Sequence, residues 1–218
     1  IESALWWLFF AFNSIVLFYF VALNGTYLVT SLVAFTELRR YARRMRSIDV
    51  DEMITSAGAP GVTIIAPAFN EEVTCVGSVR SLLMLKYPDY EIVLVNDGSR
   101  DDTLERLGDE FELVATPRFP TAGIPTTEVR EVYRSRTHPN LWVIDKVNGG
   151  RADAINSGIN YCRTPLLCII DADSLLERDA LMRVVRPFLD DHRTVGAGGI
   201  IRIANGCRID RGYVASVG

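Results

Sequence analysis

The stretch Val62-Thr63-Ile64-Ile65-Ala66-Pro67 decides the fold. It is short, apolar and rich in β-branched residues, which is typical of a strand buried on both faces of a parallel sheet. Residues 71–85 follow it with apolar side chains at helical spacing, which predicts a helix. A strand that leads directly into a helix is the unit from which parallel sheets are built.

The same alternation repeats toward the C-terminus. Further strands are predicted at residues 91–95, 141–144 and 165–170, and further helices near residues 152–161 and 176–189. Ser99 and Asp102 predict a capping box at the start of a helix after the second strand. The alternation predicts an α/β fold with a mostly parallel sheet and helices on both faces.

Two segments of this region have weaker patterns. Residues 115–140, rich in Pro and Thr, have no assignment and are either an insertion near the site or a surface excursion. Residues 196–201 are expected to form one more strand.

The N-terminal segment is far more apolar than a soluble domain requires. Residues 4–35 carry no charge, and an α-helix needs about 20 residues to cross the hydrocarbon core of a bilayer. One transmembrane helix is therefore predicted, and two spans are excluded by length. A signal peptide, the main alternative, would be shorter and would carry its positive charge before the apolar run, whereas here Glu2 precedes the run and five arginines follow within residues 37–46.

These arginines predict the orientation and the domain organisation. The positive-inside rule places the C-terminal side in the cytoplasm, with the helix in the inner or plasma membrane and the lipid bilayer as a partner. We expect residues 1–46 to form the transmembrane helix with its basic flank, residues 47–61 a linker, and residues 62–218 a cytoplasmic domain.

Charge and cysteine content exclude two classes of function. Residues 47–218 carry 18 basic and 25 acidic side chains, a net charge of −7, so net charge will not attract nucleic acid. The four cysteines form no C-x-x-C pair and the chain has only two histidines, so no zinc-ligand spacing occurs. We interpret the cysteines as reduced, mostly buried thiols of a cytoplasmic domain.

Polar and aromatic side chains follow each of the four predicted strands, where parallel sheets bind ligands. They are Phe69, Asn70 and Glu71, then Asn96 and Asp97, then Asp145 and Lys146, and finally Asp171 and Asp173. Each also has an ordinary structural interpretation. Phe69 could be a core aromatic, Asn70 a helix cap, Asp97 part of a turn, Asp145 and Lys146 a surface pair, and residues 148–150 a flexible connector.

Two of these segments together suit a metal-bound diphosphate. Asp171 and Asp173 can converge on one hard cation, Mg²⁺ or Mn²⁺, or on a ribose and a cation. In Asn148-Gly149-Gly150-Arg151, two glycines at a helix entrance let backbone N–H groups approach an anion, while Lys146 and Arg151 add positive charge. No G-x-G-x-x-G follows the first strand and no P-loop motif occurs, which disfavours dinucleotide oxidoreductases and P-loop enzymes.

Four segments in this order resemble the membrane-bound family-2 glycosyltransferases, which include hyaluronan, chitin, cellulose and poly-N-acetylglucosamine synthases. They are residues 67–71, 95–99, 145–150 and 171–174, within a similarity that covers about Val62 to Asn205. The resemblance implies a GT-A fold, a nucleoside-diphosphate sugar donor such as UDP-GlcNAc or UDP-Glc, and inversion at the anomeric carbon.

The resemblance also implies roles for individual residues, all on the donor side. Phe69 and Asp97 would hold uracil and ribose, with Asn70 and Glu71 bracing that loop. Lys146, Arg151 and the turn formed by Asn148, Gly149 and Gly150 would face the nucleotide and diphosphate. Asp173 would hold the metal, and Asp171 would contact sugar or ribose and also the metal. The chain departs from the family with Asn96, where an Asp is frequent, and with Arg151, where a Lys is frequent.

A larger departure concerns the chemistry itself. The family's catalytic base, in a Glu-Asp or Thr-Glu-Asp segment, and its Gln-x-x-Arg-Trp motif do not occur before Gly218. We therefore expect an N-terminal fragment, with the base beyond Gly218. Three functions stay open: a synthase that extends a growing glycan, a transferase that places one sugar on a lipid carrier, and a non-catalytic nucleotide-sugar sensor.

Overall fold

The chain forms two compact units in a computed structural model, Ile1–Val50 and Asp51–Gly218. The structure describes residues 2–46, 58–199, 207–210 and 213–217. Most of the predicted linker, residues 47–57, lies outside the described residues.

The N-terminal unit is one helix, α1 (Glu2–Arg46). Within it, Leu5–Arg40 contains an 18-residue window with a mean hydropathy of 1.9 and no buried residues, so the length and composition of this stretch suit a membrane span. At about 1.5 Å of rise per residue, these 36 residues exceed a hydrocarbon core of about 30 Å. The predicted single apolar helix is thus present, and it is long enough to span a bilayer at a tilt.

The second unit is built on a six-stranded mixed sheet with the order β3-β4-β5-β2-β1-β6. The strands are β1 (Val62–Ala68), β2 (Tyr90–Asn96), β3 (Leu113–Ala115), β4 (Val129–Ser135), β5 (Leu141–Lys146) and β6 (Leu166–Ile169). β1 pairs in parallel with β2 and β6, and β2 pairs in parallel with β5. β4 is antiparallel to both β3 and β5 and is the one strand that runs against the others. The predicted mostly parallel sheet is confirmed.

Four helices cover the sheet on both faces. They are α2 (Cys75–Leu83), α3 (Thr103–Phe111), α4 (Arg151–Asn160) and α5 (Ala180–Asp190). Because successive strand residues point to opposite faces, Ile64 packs with the core under α2, α3 and α5, whereas Ile65 packs with Ala154 of α4. Burial on both faces explains why the central strands read as continuous apolar runs.

Three local predictions are corrected by the structure. The helix predicted from residue 71 begins at Cys75, because residues 72–74 form a turn in which Val73 is exposed. The backbone N–H groups of Glu71 and Glu72 donate to the side chains of Thr103 and Asp101. The predicted capping box is wrong: Asp102 is the N-cap of α3 without a side-chain capping bond, and the Ser99 hydroxyl accepts a bond from the Asn70 backbone instead.

The third correction concerns the C-terminal part. Residues 196–199 form no strand, while Ile200 and Ile201 lie outside the described residues. A separate hairpin of β7 (Cys207–Asp210) and β8 (Tyr213–Val217) is present further along the chain.

Candidate nucleotide-sugar site

The loops after β1 and β2 are interlocked at the carboxyl edge of the sheet. The Asn70 backbone, at φ 56°, donates a 3.0 Å hydrogen bond to Ser99 Oγ, and the Arg100 backbone donates one of 2.9 Å to Asn70 Oδ1. The Glu71 N–H lies 2.9 Å from Thr103 Oγ1. Phe69, which precedes this lock, has 46% of its surface exposed. Its ring is therefore available to a ligand, and the interpretation of Phe69 as a core aromatic is wrong.

Asp97 lies at the centre of the site and is 3% exposed. Its Oδ1 accepts hydrogen bonds from Lys146 Nζ at 2.6 Å and the Gly149 N–H at 3.0 Å. Its Oδ2 accepts the Gly150 N–H at 2.8 Å. Asn148 Nδ2 donates to the Asp97 carbonyl at 2.7 Å. Residues 148–150 are therefore a turn held around the Asp97 carboxylate and not a free connector.

Glycine is required where these two loops meet. Gly98 has φ 67°, and a Cβ there would lie 2.7 Å from the Asn148 backbone nitrogen. Gly150, the N-cap of α4, has φ 87°. Both positions lie in the left-handed region that side chains disfavour.

Lys146 is completely buried, and its ammonium group is fully bonded. Nζ lies 2.6 Å from Asp97 Oδ1, 2.7 Å from Asp153 Oδ2 and 2.7 Å from the Val147 carbonyl. These three acceptors use every N–H of the ammonium group. The hydrogen bond from Lys146 lowers the pKa of the Asp153 carboxyl. The alternative of an exposed Asp145–Lys146 pair is wrong, since Asp145 is also buried.

The acidic tip, residues 171–174, lies against the start of α4. The Ser174 N–H closes a turn onto the Asp171 carbonyl at 3.0 Å, with Ala172 buried beneath it. Arg151 donates from Nε at 2.9 Å and from Nη2 at 2.7 Å to Asp171 Oδ1. The structure thus brings the acidic tip together with residues 148–151, which we call the glycine turn.

Asp173 is the free carboxylate of this tip. It is exposed, and its side chain forms no hydrogen bond or ion pair within residues 58–199. Among the described residues, no group of three or more His, Cys, Asp or Glu side chains could hold a metal ion.

The neighbouring Asp145 explains why position 96 holds an asparagine and not an aspartate. Its Nδ2 donates to Asp145 Oδ1 at 2.8 Å, and both residues are buried. An Asp at position 96 would place two carboxylates against each other, which opposes ionisation of both. The amide Oδ1 of Asn96 has no partner among the described residues.

Residues 118–128, which we call the strap, belong to the region 115–140 that had no assigned structure, and they support the site. At its start the buried Arg118 donates to both Glu91 carboxylate oxygens at 2.9 Å. In its middle, Ile124 exchanges two hydrogen bonds with the Asn160 side chain at the end of α4. At its end, Thr127 binds Asp153 near the start of α4. No periodic pattern marks these contacts, since they join side chains to irregular backbone.

The family model of glycosyl transferase family 2 matches residues 63–117 and 125–213. The chain belongs to this family. The predicted family and its α/β GT-A-type fold are confirmed. Residues 118–124, which the match leaves out, lie within the strap.

Curated relatives are similar in sequence over most of this chain. The poly-β-1,6-N-acetyl-D-glucosamine synthase of Staphylococcus aureus strain COL is 26% identical over 197 residues, covering 89% of this chain and 40% of the relative. The synthase of the same name from Staphylococcus epidermidis is 28% identical over 145 residues, covering 66% of this chain and 29% of the relative. The chain thus spans less than half the length of these relatives.

Solved structures show more distant similarity. TarS residues 1–349 from S. aureus, in complex with UDP-GlcNAc, matches with a TM-score of 0.44 at 21% identity, over 61% of this chain and 32% of that chain. The mannosyltransferase PcManGT from Pyrobaculum calidifontis, in complex with GDP-Man and Mn²⁺, matches with a TM-score of 0.48 at 20% identity, over 72% of this chain and 42% of that protein.

Proposed function

We propose that the whole protein is an inverting glycosyltransferase that uses a UDP-sugar to build a β-linked polysaccharide at the membrane. The observation that carries this proposal is the contact of the Asp171 carboxylate with Arg151, 2.7 Å apart, which joins an acidic tip to a cationic glycine turn. Membership of the family supports a nucleotide-sugar donor, and the names of the curated relatives favour UDP-GlcNAc over UDP-Glc. The acceptor would be the growing glycan.

The nucleoside would bind between Phe69 and Asp97. An ionised carboxylate offers about four acceptor positions, and the protein fills three of those on Asp97. The position left on Oδ2 suits one N–H or O–H donor, as uracil N3 and the ribose hydroxyls provide. The exposed ring of Phe69 would stack on the base.

The diphosphate would bind over the start of α4. The N–H groups of Gly149 and Gly150 already donate hydrogen bonds to Asp97. The anion would therefore bind to the next N–H groups of the helix and to the Arg151 guanidinium. The free N–H groups of a first helical turn and the helix dipole both favour an anion. Lys146, which is saturated, would act by holding Asp97 and not by touching phosphate.

Mg²⁺ or Mn²⁺ would be held by Asp173, with Asp171 as a second ligand. The donor set fits such an ion, because both carboxylates are exposed and Arg151 contacts only Oδ1 of Asp171. When bound, the ion would neutralise charge that develops on the leaving diphosphate. Arg151 and the dipole of α4 would stabilise the same charge from the protein side.

The described residues form the donor half of a reaction site. An acceptor hydroxyl would attack the anomeric carbon as the nucleoside diphosphate departs from the opposite face, which inverts that centre. The Glu-Asp or Thr-Glu-Asp segment expected to deprotonate the hydroxyl is not among the described residues. We propose that α1 anchors this reaction at the inner or plasma membrane with the second unit in the cytoplasm.

Nucleotide titration tests this function. The purified full chain is titrated with UDP, ADP and GDP, with and without Mg²⁺ or Mn²⁺. We expect UDP to bind tightest and the metal to strengthen its binding. Equal affinity for the three nucleotides would contradict the donor assignment. With radiolabelled UDP-GlcNAc, long polymer would support a synthase, whereas short glycolipid would indicate transfer to a lipid carrier.

A further inference from the structure

Lys146 connects the nucleotide site to a support that lies outside the four segments that carry the family resemblance. Its buried ammonium group lies between Asp97 Oδ1, at 2.6 Å, and Asp153 Oδ2, at 2.7 Å. The ammonium group of a lysine lies on a flexible four-carbon stem, which does not fix its position. The position of Nζ therefore depends on both carboxylates, and a shift of Asp153 would move the cation away from Asp97.

Asp153 is in turn fixed by one residue of the strap. The Thr127 N–H lies 3.1 Å from Asp153 Oδ1, and the Thr127 hydroxyl lies 3.0 Å from Oδ2. The same hydroxyl is 2.6 Å from the Val147 carbonyl, which also accepts a bond from Lys146. Thr127 thus contacts both acceptors that hold Lys146 on the side away from Asp97.

The strap is bound to both ends of α4, and these contacts hold Thr127 in place. Asn160 accepts the Ile124 N–H at 2.9 Å and donates to its carbonyl at 2.8 Å. The Val147 N–H donates to the Glu128 carbonyl at 2.9 Å, which joins the strap to the end of β5. Thr127 is therefore bound on both sides and cannot shift without breaking backbone contacts.

We propose that Thr127 and Asp153 are positioning residues for the nucleoside, acting through Lys146 on Asp97. They contact no donor atom themselves. Their function is to hold the ammonium group on Asp97 Oδ1, so that the remaining acceptor position of Oδ2 faces the base and ribose. This inference rests on the proposed use of a UDP-sugar.

The test is a double-mutant cycle measured as the Kd for UDP, with Mn²⁺ present, on the purified full chain. Thr127→Val removes only the hydroxyl and should weaken UDP binding about three- to tenfold, the effect of losing part of a charge-assisted hydrogen bond. Asp153→Asn should weaken it by about tenfold. In an Asp97→Asn background, neither change should weaken binding further, because the residue through which they act is already altered.

The neighbouring Thr126 provides the matched control. Its side chain makes no hydrogen bond within residues 58–199, so Thr126→Val should leave the Kd unchanged. Equal UDP affinity in wild type, Thr127→Val and Asp153→Asn would overturn the positioning role while leaving the donor assignment intact. Losses that are the same size in the Asp97→Asn background would also overturn it, since they would reflect a general effect on folding. Failure of the wild-type chain to bind UDP would instead overturn the proposed function.

Discussion

At the scale of single residues, the site depends on contacts that only glycine permits. Gly98 places its backbone against Asn148, and this contact joins the loop that carries Asp97 to the turn that binds its carboxylate. A side chain at position 98 would separate the two loops. The site is thus built from backbone proximity as much as from polar side chains.

Gly98→Ala is expected to destabilise the protein. The new Cβ would lie 2.7 Å from the Asn148 nitrogen, at a φ of 67°. Left-handed backbone and overpacking together cost about 1–3 kcal/mol, which lowers the melting temperature of a domain this size by about 2–8 °C. Gly123→Ala is the control, because a Cβ there would meet nothing within 4 Å. Equal melting temperatures for both variants would contradict the close packing of the two loops.

Asp153 should make the stability of the protein depend on pH in the acid range. Because the hydrogen bond from Lys146 lowers its folded-state pKa below 3.8, the stabilisation is complete above the unfolded value and is lost as pH falls through the folded one. Melting temperatures measured from pH 5 down to about pH 3 should therefore fall less steeply for Asp153→Asn than for wild type. Asp109→Asn, an exposed change on α3, should keep the wild-type slope. A slope for Asp153→Asn that matches wild type would contradict the assigned ion pair.

Residue types and their order along the chain were sufficient to predict which polar residues lie together at this edge of the sheet. Asp97, Arg151 and Asp171 follow strands or begin a helix, so topology alone brings them to one edge of the sheet. The partners of Lys146 could not be predicted, because a sequence does not show which of several nearby carboxylates a lysine reaches. Thr127 and Asp153 were missed for the same reason.

At the scale of elements, α4 is the part that links the core to the site. Its N-terminus carries Gly150 and Arg151, while Gly158 near its other end packs directly on β1. A Cβ at position 158 would lie 2.5 Å from Ile65 Cγ2. The absence of a side chain therefore sets how closely α4 approaches the sheet.

Two helical glycines give opposite predictions. Gly158→Ala should destabilise by about 1–3 kcal/mol through overpacking and should weaken UDP binding, because α4 would move. Gly108→Ala in α3 has no atom within 4 Å of its new Cβ and should stabilise by up to about 1 kcal/mol through higher helix propensity. Thermal melting of both variants measures the difference. A stabilising Gly158→Ala would contradict the packing of α4 on β1.

Elements with a buried, regular pattern were predicted well, and those with mixed surroundings were not. β1, β2 and β5 are buried on both faces and read as apolar runs. β4 does not alternate strictly between apolar and polar residues, because its register shifts between Val129 and Glu131, so it was left without an assignment. The start of α2 was placed too early because Val73 fits the apolar spacing of the helix, whereas in the structure it is exposed and lies in a turn.

At the scale of the whole molecule, α1 sets where the reaction would occur. The most apolar 18-residue window of Leu5–Arg40 has no buried residue, and exposed apolar surface of this extent requires a bilayer or a partner. The sequence predicts both the span and its orientation, since charge flanking an apolar run is a local feature.

Membrane topology can be measured directly. We expect the full chain to resist carbonate extraction and to keep its N-terminal helix, as shown by intact mass. Protease should digest the second unit in inverted inner-membrane vesicles and leave it intact in right-side-out vesicles. Protection in inverted vesicles would contradict the cytoplasmic orientation, and loss of residues 1–46 from the mature chain would indicate a signal peptide.

The central claim is that the acidic tip and the glycine turn bind one metal–nucleotide ligand. The most direct measurement is the Mn²⁺ affinity of the full chain, by electron paramagnetic resonance, with and without saturating UDP. Because two ligands that share a site favour each other reciprocally, UDP should raise the Mn²⁺ affinity by about tenfold or more, and Mn²⁺ should raise the UDP affinity by the same factor. Asp173→Asn should abolish this coupling, whereas Asp109→Asn should preserve it. An Mn²⁺ affinity that is the same with and without UDP would contradict the account.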